Sequence, residues 1–546
     1  MTNKGWVAMV ALAVSVSVVP ANAASISGSV TDASGKALEG VMVTAFDSAM
    51  EMNTTVSTQA DGSYAINGLR DASFDVRVRL DGQLDIMNEG VDAGTKGIDF
   101  SMNPATGEDL EAQRTADSAF GMLAWDNAAD KENFKMMCTY CHQVGSAGFR
   151  APEEPVDWET MITRMDGFGG LYKHTQETLV QRLVDTYSED AVAKWPAYDP
   201  GPAPSGAATK AIITEWDMGE LDNVMIHDLE LSADGKIAYG INMSINGIVT
   251  LDTETGERAD YSLPAPYRGP HSIEMGNDGN MWLTLCISGE MAKFDVTTKE
   301  WTIASSAAAP RPRGAYPHTL RINPEDPEGL VWYTDAGMNA CFSMHPDTLE
   351  VTQYDLLKAD QVSGSGGRGE SRGVTPYGID FSPVDGMIWY TKLNGNRIGR
   401  INPNVEGGDI KEWNPPFRGP RRLHVAQDGL VWVPGFGSGV FGSFDPKTEK
   451  WDVYDLPDAL NKIPYALNVA PDGAIWITGT GSDSVTKFDP KTKEMTEFRM
   501  PTRVTYTREF EFGPDGSIWT CNSNAPVRHT ERGRGSIIKI ELIETD

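Results

Sequence analysis

The stretch Cys138-Thr139-Tyr140-Cys141-His142 carries the most specific chemistry in the sequence. A C-x-x-C-H spacing is the attachment signature of a c-type haem. Its two thiols add to the two vinyl groups of one porphyrin, and the histidine that follows is held under the iron. A zinc site would want a second ligand pair at similar spacing, and none follows. A thioredoxin-type pair would want a βαβ context, whereas the flanks read as helical. One covalent haem c is therefore the expected cofactor, attached at Cys138 and Cys141 with His142 as proximal ligand.

A second constellation comes from internal repeats. An acidic-Gly turn followed by an aromatic recurs at Asp234-Gly235 (with Tyr239), Asp278-Gly279 (Trp282), Glu328-Gly329 (Trp332) and Asp385-Gly386 (Trp389). It returns at Asp428-Gly429 (Trp432), Asp472-Gly473 (Trp476) and Asp515-Gly516 (Trp519). Seven units of four short strands, with a period near 45, predict a seven-bladed β-propeller. Stepping back about seven residues from each turn lands near the start of each innermost strand. The residues there are His227, His271, His318, Tyr377, Arg421, Tyr465 and Arg508. Equivalent positions converge on the central axis, so these seven are the candidate catalytic set at one mouth of the channel.

Neutral imidazoles ligate copper, zinc or iron, so His227, His271 and His318 are candidates for a second metal; magnesium also stays open. The arginines opposite suit a small polar or anionic substrate held by bidentate hydrogen bonds. The competing reading is that histidine serves packing and turn bonding here. Asp335, Lys392 and Asn522 follow blade aromatics and are expected to support the mouth. Two long loops, 305–317 and 357–376 with Arg368 and Arg372, are candidates for a lid.

The elements that position these groups follow from length and composition. At 546 residues the chain is too long for one core. Residues 1–23 read as a secretory signal: Lys4, an apolar run from Val7 to Val19, then Ala21-Asn22-Ala23. Export to a bacterial periplasm is expected, because c-type haem is attached on that side, and no long apolar run predicts a membrane span. The formal net charge of −31 argues against nucleic acid or an anionic membrane as partner. It suits a salty environment or a cationic redox partner, with plain solubility as the competing reading. Beyond the haem pair stand Cys286, Cys341 and Cys521. Buried free thiols are the default for them, with a Cys286–Cys341 bridge as the alternative.

Residues 24–104 alternate apolar and polar around the turns Asp32-Ala-Ser-Gly35 and Asp61-Gly62. The pattern SISGSVTDASGKALEGVMVTAFD…FDVRVRLDG resembles the carboxypeptidase regulatory-like domain, a small β-sandwich. The resemblance implies a non-catalytic spacer or docking module.

Residues 105–198 turn helical, with C-x-x-C-H between long breaker-poor stretches. Helix, motif, and a Trp158-x-x-Met161-x-x-x-Met165 helix are similar to small monohaem cytochrome c domains. That resemblance implies a sixth iron ligand downstream. Met165 is the first choice, before a glycine-rich turn; Met161 and His174 are alternatives, and core packing competes for both methionines. A methionine ligand favours outer-sphere electron transfer, an open position chemistry at iron.

Residues 199–209 form a Pro/Gly/Ala linker, and 210–546 make up the propeller. Blade text such as PHSIEMGNDGNMWLTL and TPYGIDFSPVDGMIWYTKLNGNRIGRINP resembles the virginiamycin B (streptogramin) lyase family. In that family a histidine and a glutamate on late blades do the acid/base work near magnesium. Here late blades present Arg421, Tyr465 and Arg508, with His424 three residues past its mouth position, and His529 and Glu531 in the last blade.

The expected fold class is multidomain and mainly β: β-sandwich, small α-helical cytochrome c domain, seven-bladed propeller. The expected function is a periplasmic oxidoreductase that passes electrons from a small substrate through haem to an acceptor such as a cytochrome c. A propeller C–O lyase is the alternative. A third reading is a non-enzymatic electron-transfer or binding protein.

Overall fold

The computed structural model describes residues 24–150, 155–167, 176–220, 224–306, 315–357, 375–458, 461–523 and 530–543. Residues 1–23, read above as a secretory signal, lie outside the described residues, as do His174, Arg368, Arg372, His529 and most of the two long loops.

Six four-stranded antiparallel sheets follow one another from Ile226 to Arg499, each in simple up-and-down order. The seventh blade takes its inner strands from Glu511–Phe512, Ile518–Asn522 and Arg534–Leu542. Its outer strand is Ala211–Glu220, antiparallel to the C-terminal strand. The ring is therefore closed by a strand from before the first repeat. That strand carries no Asp-Gly anchor, and the sequence reading assigned it no partner. Closure in this way removes the free edge between last and first blades.

The repeat anchors are turn chemistry. In Asp472-Gly473 the carboxylate accepts from the Ala474 amide at 2.9 Å, and glycine supplies φ +87°. The buried blade tryptophans fill the gaps between neighbouring sheets. Trp282 packs with Leu320, Val331 and Tyr333 of the next blade; Trp389 packs with Leu423 and Val431. One blade alone leaves such faces bare, so the ring is the smallest unit that buries them.

The N-terminal residues form two sheets around a core of Ile26, Val43, Ile66, Val76, Val78 and Phe100. One sheet is fused to the propeller: Met52–Ser57 pairs with Ala211–Glu220, giving an eight-stranded sheet. Arg77 and Arg79 of this domain bind Glu531 of the last blade. Among the described residues no helix is long and apolar enough to cross a membrane.

Between the two β parts lies a helical segment. Its main helices are Ala128–Cys138, Pro155–Gly167 and Gln176–Tyr187. Asn127 caps the first by accepting from the Asp130 amide at 2.9 Å. A small core of Phe120, Phe134, Trp158, Ile162, Leu183 and Tyr187 holds them together. The segment does not stand apart from the propeller. Asp117 N donates to Gly481 O, Lys131 Nζ to Asn461 Oδ1, and Ser438 Oγ to Glu132 Oε1. Helix Ala128–Cys138 thus lies across blades five and six and delivers the C-x-x-C-H motif to the channel axis.

Candidate functional site

The inner strands carry bulges at their upper ends, between Pro270 and Ile273, Pro317 and Leu320, Pro376 and Ile379, and Pro464 and Leu467. A bulge re-aims side chains out of strict alternation. The seven positions read from the sequence meet there in one ring. Imidazole centroids of His227, His271 and His318 are spaced 4.1 Å apart along an arc, and Tyr377 continues it at 3.8 Å from His318. Tyr377 and Tyr465 share a 2.7 Å hydrogen bond; Arg421 donates to Tyr377 at 2.7 Å and Arg508 to Tyr465 at 2.9 Å.

Threonines two residues past the blade tryptophans pin this ring. Thr284 donates to His318 O, Thr334 to Tyr377 O and Thr391 to Arg421 O, each across to the next blade. The W-x-T pattern was a readable signal for them. Of the supporting residues, Asp335 accepts from the amides of Tyr316 and Gly337, and Asn522 accepts from the Tyr506 amide. Lys392 is buried against Glu412 and the Leu357 carbonyl. These side chains brace loops beside the mouth.

The ring is covered, which corrects the expectation of an open mouth. All seven residues are buried. The cover is the motif segment itself. The Tyr506 hydroxyl points at the carbonyls of Thr139 (2.5 Å) and Tyr140 (3.0 Å). Arg508 donates to the carbonyls of Tyr140 (3.3 Å) and Cys141 (2.9 Å), and Arg421 to that of Tyr140 (3.4 Å). Gln143 donates to Thr505 O at 2.9 Å and Asp483 Oδ1 at 3.0 Å. Met136 and Tyr140 pack with Tyr377, Phe436, Tyr465 and Tyr506. The loop after the first long helix is thus clamped by propeller donors.

All five cysteines are free thiols, so the alternative Cys286–Cys341 bridge is not formed. Cys138 packs partly buried against the helical core while Cys141 is exposed. His142 stacks on Phe149 at 4.4 Å, and its Nδ1 lies 2.6 Å from the Gln143 carbonyl. That contact selects the tautomer with the proton on Nδ1, which keeps the Nε2 lone pair for a metal. Two unbridged thiols and this imidazole are a donor set that fits covalent haem. Met165 is half-buried against the same apolar cluster as Cys138, whereas Met161 is 37% exposed.

Burial, then the neighbouring imidazoles and guanidiniums, hold His227, His271 and His318 well below the usual histidine range. They are neutral at pH 7. Among the described residues no group of three His, Cys, Asp or Glu is arranged to hold a metal ion.

Below the ring the channel carries charges that the sequence reading missed. Arg422 sits between Asp228 (2.9 Å) and Glu509, and Arg321 between Glu274 (3.2 Å) and Glu509. Glu230 and Glu511 join them; burial raises Glu230 to about 7 and holds Glu274 and Glu511 well above the usual carboxylate range. These residues sit one and three positions beyond the mouth residues. The bulge that turns both Arg421 and Arg422 inward is not visible in the alternation pattern. His424 belongs here, 3.8 Å from Asp380, and not at the mouth. Glu531 binds Arg77 and Arg79 at the domain junction, so it is not a mouth acid.

Residues 25–103 match the family model of the carboxypeptidase regulatory-like domain, and residues 369–542 that of the virginiamycin B lyase family. No curated protein matches the chain. Among solved structures, a streptogramin B lyase aligns with TM-score 0.50 at 20% identity, covering 62% of this chain and 100% of that one. Virginiamycin B lyase from Staphylococcus aureus aligns with TM-score 0.50 at 19% identity, covering 61% and 100%. At these identities the likeness establishes the fold. Of the two enzyme readings drawn from the sequence, these comparisons favour the lyase-like one over the haem oxidoreductase. The chain is similar to the carboxypeptidase regulatory-like domain at one end and to the virginiamycin B lyase propellers at the other, with the helical segment outside both matches.

Proposed function

We propose that the protein is a periplasmic c-type cytochrome oxidoreductase in which the motif segment and the propeller mouth form one site. The observation that carries this is the contact between them: carbonyls of Thr139, Tyr140 and Cys141 lie in hydrogen-bond reach of Tyr506, Arg421 and Arg508. A long separation between motif and mouth would have ruled out electron passage; direct contact favours it. Cys138, Cys141 and His142 would hold the haem, with Met165 as candidate sixth ligand. When bound, the haem supplies one-electron chemistry. The chain's own groups do the rest. Arg421 and Arg508 attract a small anionic substrate, and the arc His227, His271, His318 faces it with uncharged imidazoles. A soluble electron-acceptor protein takes the electrons.

The test is expression in a host competent in haem attachment, followed by elemental analysis and acceptor-dependent turnover. One iron per chain, lost when Cys138 and Cys141 are changed to alanine together with acceptor reduction, is the expected result. A chain without iron refutes the reading.

The match over residues 369–542 and the aligned lyase structures favour a second reading, a propeller C–O lyase. His424 near Asp380 is then the nearest acid/base pair. This reading predicts turnover with no acceptor, unaffected by the two cysteine substitutions.

A further inference from the structure

Arg421 and Arg508 are buried cations, 0% and 2% exposed, and neither has an ion pair among the described residues. Their neighbour Arg422, equally buried, has two carboxylates. A buried guanidinium needs a counter-charge. Around Arg421 and Arg508 the groups that can become anionic include the phenols of Tyr377, Tyr465 and Tyr506 and the Cys141 thiol, and of these only the phenols of Tyr377 and Tyr465 accept a hydrogen bond from either guanidinium.

Counting protons locates the charge. Tyr377 Oη accepts from Arg421 Nη2 at 2.7 Å, and Tyr465 Oη accepts from Arg508 Nη1 at 2.9 Å. The two phenol oxygens are 2.7 Å from each other. These are the hydrogen bonds that either hydroxyl makes. Two neutral phenols carry two protons, but one hydrogen bond between them uses only one. Among the described residues the second has no acceptor, because the other groups bonded to the pair are guanidinium donors. Removing one proton satisfies every group. The Tyr465 ring also has the Arg421 guanidinium carbon 3.5 Å from its centroid, with those of Arg508 at 5.0 Å and Arg422 at 5.5 Å.

We infer that Tyr377 and Tyr465 share a single proton, with Tyr465 the phenolate that offsets one of the two charges on Arg421 and Arg508. The pair is a proton acceptor built into the mouth: it takes up one proton to become neutral and releases it again. His318, whose ring lies 3.8 Å from that of Tyr377, connects it to the imidazole arc. Either an oxidation that releases a proton or an elimination needs such a base, so the inference stands on the ring and serves both readings of function. The other charged and titratable groups facing the pair are Arg422 from blade five, Tyr506 and Arg508 from blade seven, and Tyr140 and Cys141 from the motif segment. Burial opposes ionisation of Tyr465, and the guanidiniums of Arg421, Arg508 and Arg422 outweigh it; Tyr377 is correspondingly held well above the ordinary range by burial.

The test is near-ultraviolet titration of the full chain, comparing wild type with Tyr465→Phe at matched haem content and matched far-ultraviolet circular dichroism. Wild type is expected to carry one phenolate per chain more than Tyr465→Phe at pH 8, well below the ordinary tyrosine pKa of about 10. In Arg508→Gln the same phenolate is expected to appear only at higher pH, while Arg508→Lys retains part of the effect. If Tyr465→Phe fails to fold, Tyr377→Phe carries the test: loss of the shared proton's partner moves the titration upward. Identical titration of wild type and Tyr465→Phe up to pH 9, or no response to Arg508→Gln, overturns the inference, and means that a captured anion or nothing balances the arginines.

Discussion

Replacing His271 by glutamine tests whether the imidazole arc is neutral in the folded protein. In the unfolded chain a histidine takes up a proton as pH falls through about 6.5. In the folded chain His271 does not, because burial and the guanidiniums of Arg422 and Arg508 hold it well below that value. The unfolded state then binds more protons, so the contribution of His271 to stability is complete above about pH 6.5 and declines as pH falls. Between pH 7.5 and 5.5 the loss is about 1.4 kcal/mol, the equivalent of one pKa unit. Glutamine has no such titration, so the gap between wild type and His271→Gln should shrink by about 1.4 kcal/mol over that interval. Glu230, Glu274 and Glu511 are raised by burial and contribute with the opposite sign, losing stability as pH rises through their folded values. Both proteins share those groups, so the difference between them cancels the carboxylates to first order. Urea denaturation followed by tryptophan fluorescence reads the gap at each pH. A gap that stays constant, or widens in acid, refutes the neutral arc.

Other substitutions probe the clamp and the channel. Tyr506→Phe removes the hydroxyl that faces the Thr139 and Tyr140 carbonyls. An unsatisfied buried carbonyl costs about 1–3 kcal/mol, so amide exchange within residues 139–143 should accelerate while blade exchange is unchanged; unaltered protection there would speak against the clamp. Arg422→Met strips the cation from Asp228 and leaves Glu509 with Arg321 alone. Breaking such a buried pair costs about 3–5 kcal/mol, visible as a clear fall in melting temperature, and an unchanged melting curve contradicts that value. Deleting residues 24–104 bares the edge strand Ala211–Glu220 that now pairs with Met52–Ser57. Concentration-dependent self-association in sedimentation is expected of that truncation, and a clean monomer at high concentration argues that the fused sheet does not protect the edge.

What was legible in the sequence follows from where the physical signal lies. The acidic-Gly anchors are local turn chemistry, and the buried tryptophan three residues beyond six of the seven glycines reports inter-blade packing, so blade number and the seven mouth positions were readable. The channel groups Asp228, Arg321, Arg422 and Glu509 were not, because a bulge shifts the facing of inner strands and strict alternation cannot anticipate it. The closing strand Ala211–Glu220 was hidden because its partner Arg534–Leu542 lies at the far end of the chain. Trp216, on that strand, stacks on Trp519 of the last blade at 5.5 Å. The cover over the mouth was unreadable for a similar reason. Tyr506 and Gln143 reveal docking only when the surfaces that they join are known.

The channel is polar along its axis, and that bears on function. At the motif end stand Arg421 and Arg508 with phenols and neutral imidazoles; below it lie Glu230, Glu274, Asp380, Glu509 and Glu511 with Arg321 and Arg422. A chain with net charge −31 has thus placed two buried cations, with no carboxylate partner among the described residues, directly under the C-x-x-C-H loop. If the loop served only as a lid on a lyase pocket, hydrogen bonds from Tyr506, Arg421, Arg508 and Gln143 to its backbone would have to break for a bulky substrate to enter. Each such bond, once buried, is costly to leave unmade. A group fixed beside Cys141 needs no such opening, because that thiol already faces solvent while its own carbonyl is held by Arg508. The arrangement therefore favours a mouth that works with the motif in place.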